Sequence, residues 1–257
     1  MRRTIRDVWL LAATSFGLIC ALTAKGPARA DEVAVFAAGA VQKAVVEVAA
    51  AFEATTGHKV VASYDTVGAL RDRVLAGETP DLVIVSEAGL KALAAKGKLW
   101  QGSEVRLGET SVGICVPASG PPLDISTPEK LKAVLLAAPS IAHADPARGA
   151  TAGTHFRKVL AALGIEAELS PRVTVVPFGG TIAKDVAAGK FALGVTQMTE
   201  IVTIPGVRGH ALPEPHALRT GYGMGLGKAP GAAAADLIEL LKGESGRAAF
   251  AKSGFTP

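Results

Sequence analysis

Residues 33–52 read Val33-Ala34-Val35-Phe36-Ala37-Ala38-Gly39-Ala40-Val41-Gln42-Lys43-Ala44-Val45-Val46-Glu47-Val48-Ala49-Ala50-Ala51-Phe52, and they decide the fold class. Residues 33–38 form an unbroken apolar run, as a strand buried on both faces of a parallel sheet requires. Gly39-Ala40 ends the run with small residues. Val45, Val48, Ala49 and Phe52 then recur at i, i+3, i+4 and i+7, which makes one apolar helical stripe able to pack on a sheet. Strand, small-residue loop and helix in succession are the unit of α/β architecture.

The same unit recurs along the chain. Further strand-like runs fall at 59–64, 81–86, 111–117, 140–144, 172–177 and 191–197. Helical stripes fall at Leu131, Val134, Leu135 and Ala138, and at Phe156, Val159, Leu160 and Leu163. Ser126-Thr127-Pro128-Glu129 opens the first of these with capping-box spacing and a first-turn proline. Leu237, Leu240 and Leu241 mark a last helix before Gly243. An apolar strand runs into Ala118-Ser119-Gly120-Pro121-Pro122, and a second soft stretch covers 204–215. The reading is two lobes: 31–114 with 206–257 as lobe 1, and 115–205 inserted as lobe 2. Two crossings between lobes leave a cleft, the preferred place for a ligand.

Four strand-to-helix loops could line that cleft. They offer Gly39 and Ala40, then Thr66 and Gly68, then Thr151, Ala152 and Gly153, then Thr181; Gln197 ends the strand-like run at 191–197. Glycine lets backbone approach a ligand, helix starts present unpaired N–H groups, and threonine adds a hydroxyl donor. Together they suit a small anion held by neutral donors. Taken singly, each loop reads equally as a tight turn with a capped helix.

The chain has 257 residues, 49% hydrophobic, with a formal charge of +4, and that composition excludes a disordered chain. Much of the positive charge lies in residues 1–30, where a basic Met1-Arg2-Arg3-Thr4-Ile5-Arg6, an apolar 8–24 and Ala28-Arg29-Ala30 make the three parts of a secretory signal peptide. Its removal takes out Arg2, Arg3, Arg6, Lys25 and Arg29 against one acid, Asp7, and leaves a formally neutral chain with one cysteine, Cys115. No basic field remains to attract nucleic acid. His58, His143, His155, His210 and His216 show no short metal-ligand spacing, and no phosphate-binding Gly-Lys-Thr/Ser, G-x-G-x-x-G or G-x-S-x-G motif is present. No metal, cofactor or catalytic residue is expected. Asp65 and Asp145 border the loops and read as turn or helix caps.

Val35-Phe36-Ala37-Ala38-Gly39-Ala40, Ala51-Phe52-Glu53-Ala54-Thr55-Thr56-Gly57, Ala76-Gly77-Glu78-Thr79-Pro80-Asp81-Leu82, Ala144-Asp145-Pro146 and Ala187-Ala188-Gly189-Lys190-Phe191-Ala192-Leu193-Gly194-Val195 carry a family resemblance. The chain resembles the periplasmic solute-binding proteins of ABC transporters, in particular the molybdate-binding family, from about residue 32 to 256. The resemblance implies a two-lobed type II fold, closure on an oxyanion such as molybdate or tungstate, and delivery of it as a monomer to an ABC permease. Where family members place serines in the first two loops, this chain has Ala40 and Gly68; where many have a tyrosine, it has Gln197. Thr66, Thr151 and Thr181 supply hydroxyls instead. A small organic carboxylate stays open as the ligand, with Arg148 either clamping it or facing solvent. An enzyme of small acids (a hydrolase or isomerase) and a sensor subunit on the same fold are the alternative functions.

Overall fold

The computed structural model describes residues 31–257; the expected signal peptide, 1–30, lies outside the described residues. The strands are β1 (Glu32–Ala38), β2 (Lys59–Asp65), β3 (Leu82–Ser86), β4 (Val105–Pro117), β5 (Ile141–Ala144), β6 (Val173–Val176), β7 (Leu193–Gln197), β8 (Val207–Ala211) and β9 (Arg219–Leu226). The helices are α1 (Gln42–Thr56), α2 (Val67–Leu75), α3 (Glu87–Ala95), α4 (Pro128–Ala137), α5 (Thr151–Ala162), α6 (Glu166–Leu169), α7 (Ile182–Ala187), α8 (Met198–Ile201), α9 (Ala233–Lys242) and α10 (Glu244–Lys252). No helix among the described residues is long and apolar enough to cross a membrane.

The strands run in the order β2-β1-β3-β9-β4-β7-β5-β6, with β8 also on β4. β1 is parallel to β2 and β3, and β5 is parallel to β6 and β7, each set joined by crossover helices. Burial on both faces explains the apolar runs: all five residues of β3 and all four of β5 are buried. β4 belongs to both halves. Its first part, from Val105 to Ser111, pairs antiparallel with β9, and its second part, from Val112 onward, pairs with β7 and β8.

Each half has its own core. One joins Val35, Phe52, Leu70 and Ile84 to Tyr222 and Phe250 from the chain's end. The other joins Val112, Ile114, Leu131, Phe156, Leu193 and Leu212, with a satellite around Cys115, Ile182 and Val186. We place the crossings inside β4 and ahead of β9, a proposal that widens the inserted lobe beyond 115–205.

Two local expectations change. The cap of α4 is Thr127, whose hydroxyl accepts from Lys130 N–H at 3.3 Å, and not Ser126. Pro128 at the first helical position forces the residue before it to be extended (φ −131°, ψ 161°), which makes Thr127 the cap. The second change is β8 and β9, two strands in a stretch the sequence reads as soft or says nothing of. In β9, Gly221, Gly223 and Gly225 alternate, which weakens the strand signal. The structure uses their missing side chains: a Cβ on Gly223 would lie 2.7 Å from the Val105 carbonyl oxygen and 3.0 Å from Leu90 Cδ1.

Candidate functional site

The cleft between the lobes is shut. Thr66 Oγ1 in lobe 1 donates to the Arg148 carbonyl in lobe 2 at 2.5 Å, and Gly68 N–H donates to the Gly149 carbonyl at 3.2 Å. Two glycines meet there: a Cβ on Gly68 would stand 2.6 Å from Gly149 Cα. Arg148 Nη2 reaches across to Asp65, 2.9 Å from Oδ1 and 2.7 Å from Oδ2. The Arg148 side chain therefore makes a cross-cleft ion pair while staying largely open to solvent, and it lies off the cavity wall.

Behind this seam lies a cavity of about 40 Å³. A water needs ~10–15 Å³ by the same measure, so the space suits a ligand of a few heavy atoms. Lobe 1 contributes Gly39, Ala40, Thr66 and Tyr222; lobe 2 contributes Thr151, Ala152, Gly179, Thr196, Gln197 and Glu200, with Phe178 at the side. The turns and helices that start at Gly39, Thr151 and Gly179 follow Ala38, Ala150 and Phe178, none of which caps them with a side chain. Their first N–H groups thus lack the usual capping oxygen.

Gly39, Ala40, Thr66, Thr151, Ala152 and Gln197, named from the sequence, share this wall. Three others lie off it. Gly68 forms the seam. Gly153 packs α5 on β5, since a Cβ there would collide with the Ala144 carbonyl oxygen. Thr181 is exposed, and Gly179 two residues earlier takes the place beside the cavity.

Sequence reading missed several wall residues, Tyr222, Thr196 and Glu200 among them. Tyr222, 1% exposed, comes from β9, and its hydroxyl faces the side chains of Thr151 and Gln197. Glu200 follows Gln197 by three residues in α8. Its Oε2 accepts a short hydrogen bond from the Thr196 hydroxyl and a longer one, 3.3 Å, from Gln197 N–H. Glu200 is partly buried and lines the cavity. The Gln197 carboxamide is 3% exposed and stands between the start of α8 and the Tyr222 hydroxyl.

The model of the bacterial extracellular solute-binding protein family matches residues 33–256. This chain belongs to that family. Among solved structures, this solute-binding protein is similar to the Azotobacter vinelandii periplasmic molybdate-binding protein, at 20% identity and a TM-score of 0.75, covering 88% of this chain and 99% of that one. It is also similar to a sulfate-binding protein from Mycobacterium tuberculosis, at 18% identity and a TM-score of 0.68, covering 88% and 87%. At these identities the likeness carries the fold: a two-lobed type II periplasmic binding protein. Among curated proteins it is 27% identical over 179 residues to an aconitate isomerase from Pseudomonas sp, covering 67% of this chain and 66% of that one; the match thus spans about two thirds of that relative.

The electrostatics of this solute-binding protein's cleft are set by carboxyls rather than by cations. Its wall holds two carboxyls, Asp65 and Glu200, and no lysine or arginine. Asp65 is paired to Arg148. Burial raises the Glu200 carboxyl above its ordinary range, against the opposing pull of the Thr196 hydroxyl and Gln197 N–H. Burial, and then the neighbouring Glu200 charge, raise the Tyr222 phenol, so it stands ready as a neutral O–H donor. Burial pushes the Cys115 thiol up to about 12, which leaves it an inert core residue. His143 is packed edge-on against Phe156 at 5.5 Å, and its Nδ1 pairs with the Ala144 carbonyl at 2.8 Å. His155 Nε2 pairs with the His216 carbonyl at 2.8 Å. Asp145 caps the turn at Ala147 N–H, 2.8 Å away.

Proposed function

We propose that this chain is exported to the periplasm with loss of residues 1–30, captures a small anion as a monomer by closing its two lobes, and hands it to an ABC permease. Tetrahedral oxyanions, molybdate and tungstate among them, come first, and a small organic carboxylate second. The observation that carries the reading is the inter-lobe cavity of about 40 Å³, faced from both lobes by helix starts without side-chain caps, by hydroxyls and by a buried carboxamide. Such donors hold an anion without a matching cation. The test is a thermal-shift series on the mature chain with molybdate, tungstate, sulfate, phosphate and small carboxylates. A bound anion at a hundred times its Kd stabilises by about 2.7 kcal/mol, which raises Tm by roughly 5–10 °C for a chain of this size. No response to any tetrahedral oxyanion overturns the reading.

One second reading has an observation behind it. The relative named an aconitate isomerase, together with a buried carboxyl and a phenol in one cavity, favours an isomerase of a small unsaturated acid. In that reading Glu200 takes a proton from one carbon and returns it at another. Incubation with cis- or trans-aconitate in deuterated water, followed by proton NMR, decides it: interconversion with deuterium entering the product supports the isomerase, and unchanged spectra exclude it. The size of the closed cavity favours the smaller anions.

A further inference from the structure

We propose that Glu200 makes the cleft read a proton: the closed, occupied site holds one proton on the edge between Glu200 Oε1 and a ligand oxygen, so an anion that brings its own O–H, such as hydrogen phosphate, is preferred over one that brings none, such as sulfate. This deepens the anion reading above and rests on it.

The two oxygens of the Glu200 carboxyl are not equivalent. The hydrogen bonds from Thr196 and Gln197 both end on Oε2. Oε1 points at the Gly39 turn, where a Cβ would stand 2.5 Å from it, and onto the cavity. A bound anion therefore sets one of its oxygens against a carboxyl oxygen in the narrow space between the lobes. Two bare oxygens at hydrogen-bond distance repel. One proton between them turns the repulsion into a short charge-assisted hydrogen bond.

Among the described residues, nothing else near Glu200 supplies the missing positive charge. β7 and the turn at Gly39–Val41 bring no ionisable side chain to α8. From β4 comes Cys115 and from β9 comes Tyr222, both held neutral by burial. β8 carries His210 and Arg208, the latter donating to the Gly120 and Pro121 carbonyls. Asp65 is held by Arg148 at the seam. The buried Gln197 carboxamide lines the same space and can both donate and accept, so it serves an anion with or without an O–H.

The proton balance follows. A ligand that carries an O–H donates it to Oε1, and no proton enters from solvent. A ligand without one binds only as the site takes up a proton onto Glu200. Phosphate and sulfate have nearly the same shape, so they separate this effect from size. Isothermal calorimetry on the wild type and Glu200→Gln, between about pH 6 and pH 8 and in two buffers of different ionisation enthalpy, reads it directly. In the wild type, sulfate affinity should fall by up to tenfold per pH unit, with uptake approaching one proton per ion, and phosphate should bind at least about tenfold tighter than sulfate at pH 8. In Glu200→Gln, sulfate binding should lose its pH dependence and close most of that gap. Sulfate binding that is flat with pH and takes up no proton in the wild type overturns the inference while leaving the anion reading in place; this arm decides even if the variant fails to fold. Absence of binding by both ions overturns the inference; it overturns the anion reading as well only when molybdate and tungstate also fail to bind.

Discussion

Thr66 and Thr151 both line the cavity, but their hydroxyls have different employment. Thr66 Oγ1 accepts from Ala69 N–H at 3.1 Å and donates to Arg148 across the cleft, so removing it loosens a helix cap and the closed state together. Thr151 stands beside Tyr222 with its hydroxyl on the cavity side. Thr151→Ala should weaken anion binding by about 1.5–3 kcal/mol, the worth of a hydrogen bond to a charged group, as calorimetry would show. Thr181→Ala, at an exposed position off the wall, should leave the affinity unchanged. Glu200 predicts a pH effect on the empty protein. Its folded-state pKa lies above the unfolded value of about 4.5, so the unfolded chain sheds the proton first. The stability tied to this group is whole below about pH 4.5 and is lost as the pH rises toward the folded-state pKa. Glu200→Gln should therefore melt higher than wild type at pH 8 and at the same temperature near pH 4. The threonines and Gly39 were legible in the sequence because strand, small loop and helix start mark them. Glu200 was not, because a four-residue helix has no apolar stripe; its one signal is the Gln-x-x-Glu spacing directly after a buried strand.

At the scale of elements, β9 is where sequence reading failed and where the site gains its phenol. Glycine at every second position lowers strand propensity, yet in this strand each gap is filled from a neighbour. A Cβ on Gly221 would meet the Glu87 carboxylate at 2.5 Å, and one on Gly225 would meet Leu99 Cδ1 at 3.0 Å. Periodicity cannot show this, since the partners lie more than a hundred residues away. The parallel strands were legible for the opposite reason: burial on both faces leaves a continuous apolar run. Gly223→Ala should destabilise by about 1–3 kcal/mol, because the new methyl meets backbone at Val105 that cannot rotate aside. A urea unfolding midpoint unchanged from wild type would show that β9 and β4 are spaced more loosely than described.

For the whole molecule, closure rests more on backbone than on the visible ion pair. Arg148 and Asp65 are 42% and 22% exposed in their side chains, and a pair so wet contributes up to about 1 kcal/mol. The glycine contact is stricter. Gly68→Val places atoms where Arg148 and Gly149 backbone stand across the seam, and the three nearest atoms to the new Cβ all belong to the other lobe. It should cost about 1–3 kcal/mol of anion affinity and leave the melting temperature of the empty protein close to wild type. Scattering with saturating ligand should then show a larger radius than for wild type; equal radii would mean that the seam is not what limits closing. The two-lobed plan itself was legible, from the alternating runs and the Gly-Pro break after residue 117. The shared strand was not, because nothing in a continuous apolar stretch tells that its two ends pair with different sheets. That sharing has a thermodynamic consequence. Melting either lobe strips β4 of partners that the other lobe needs, so neither core can be lost alone. Calorimetry should find a single endotherm whose measured heat equals the heat inferred from its steepness, two cores melting as one cooperative unit.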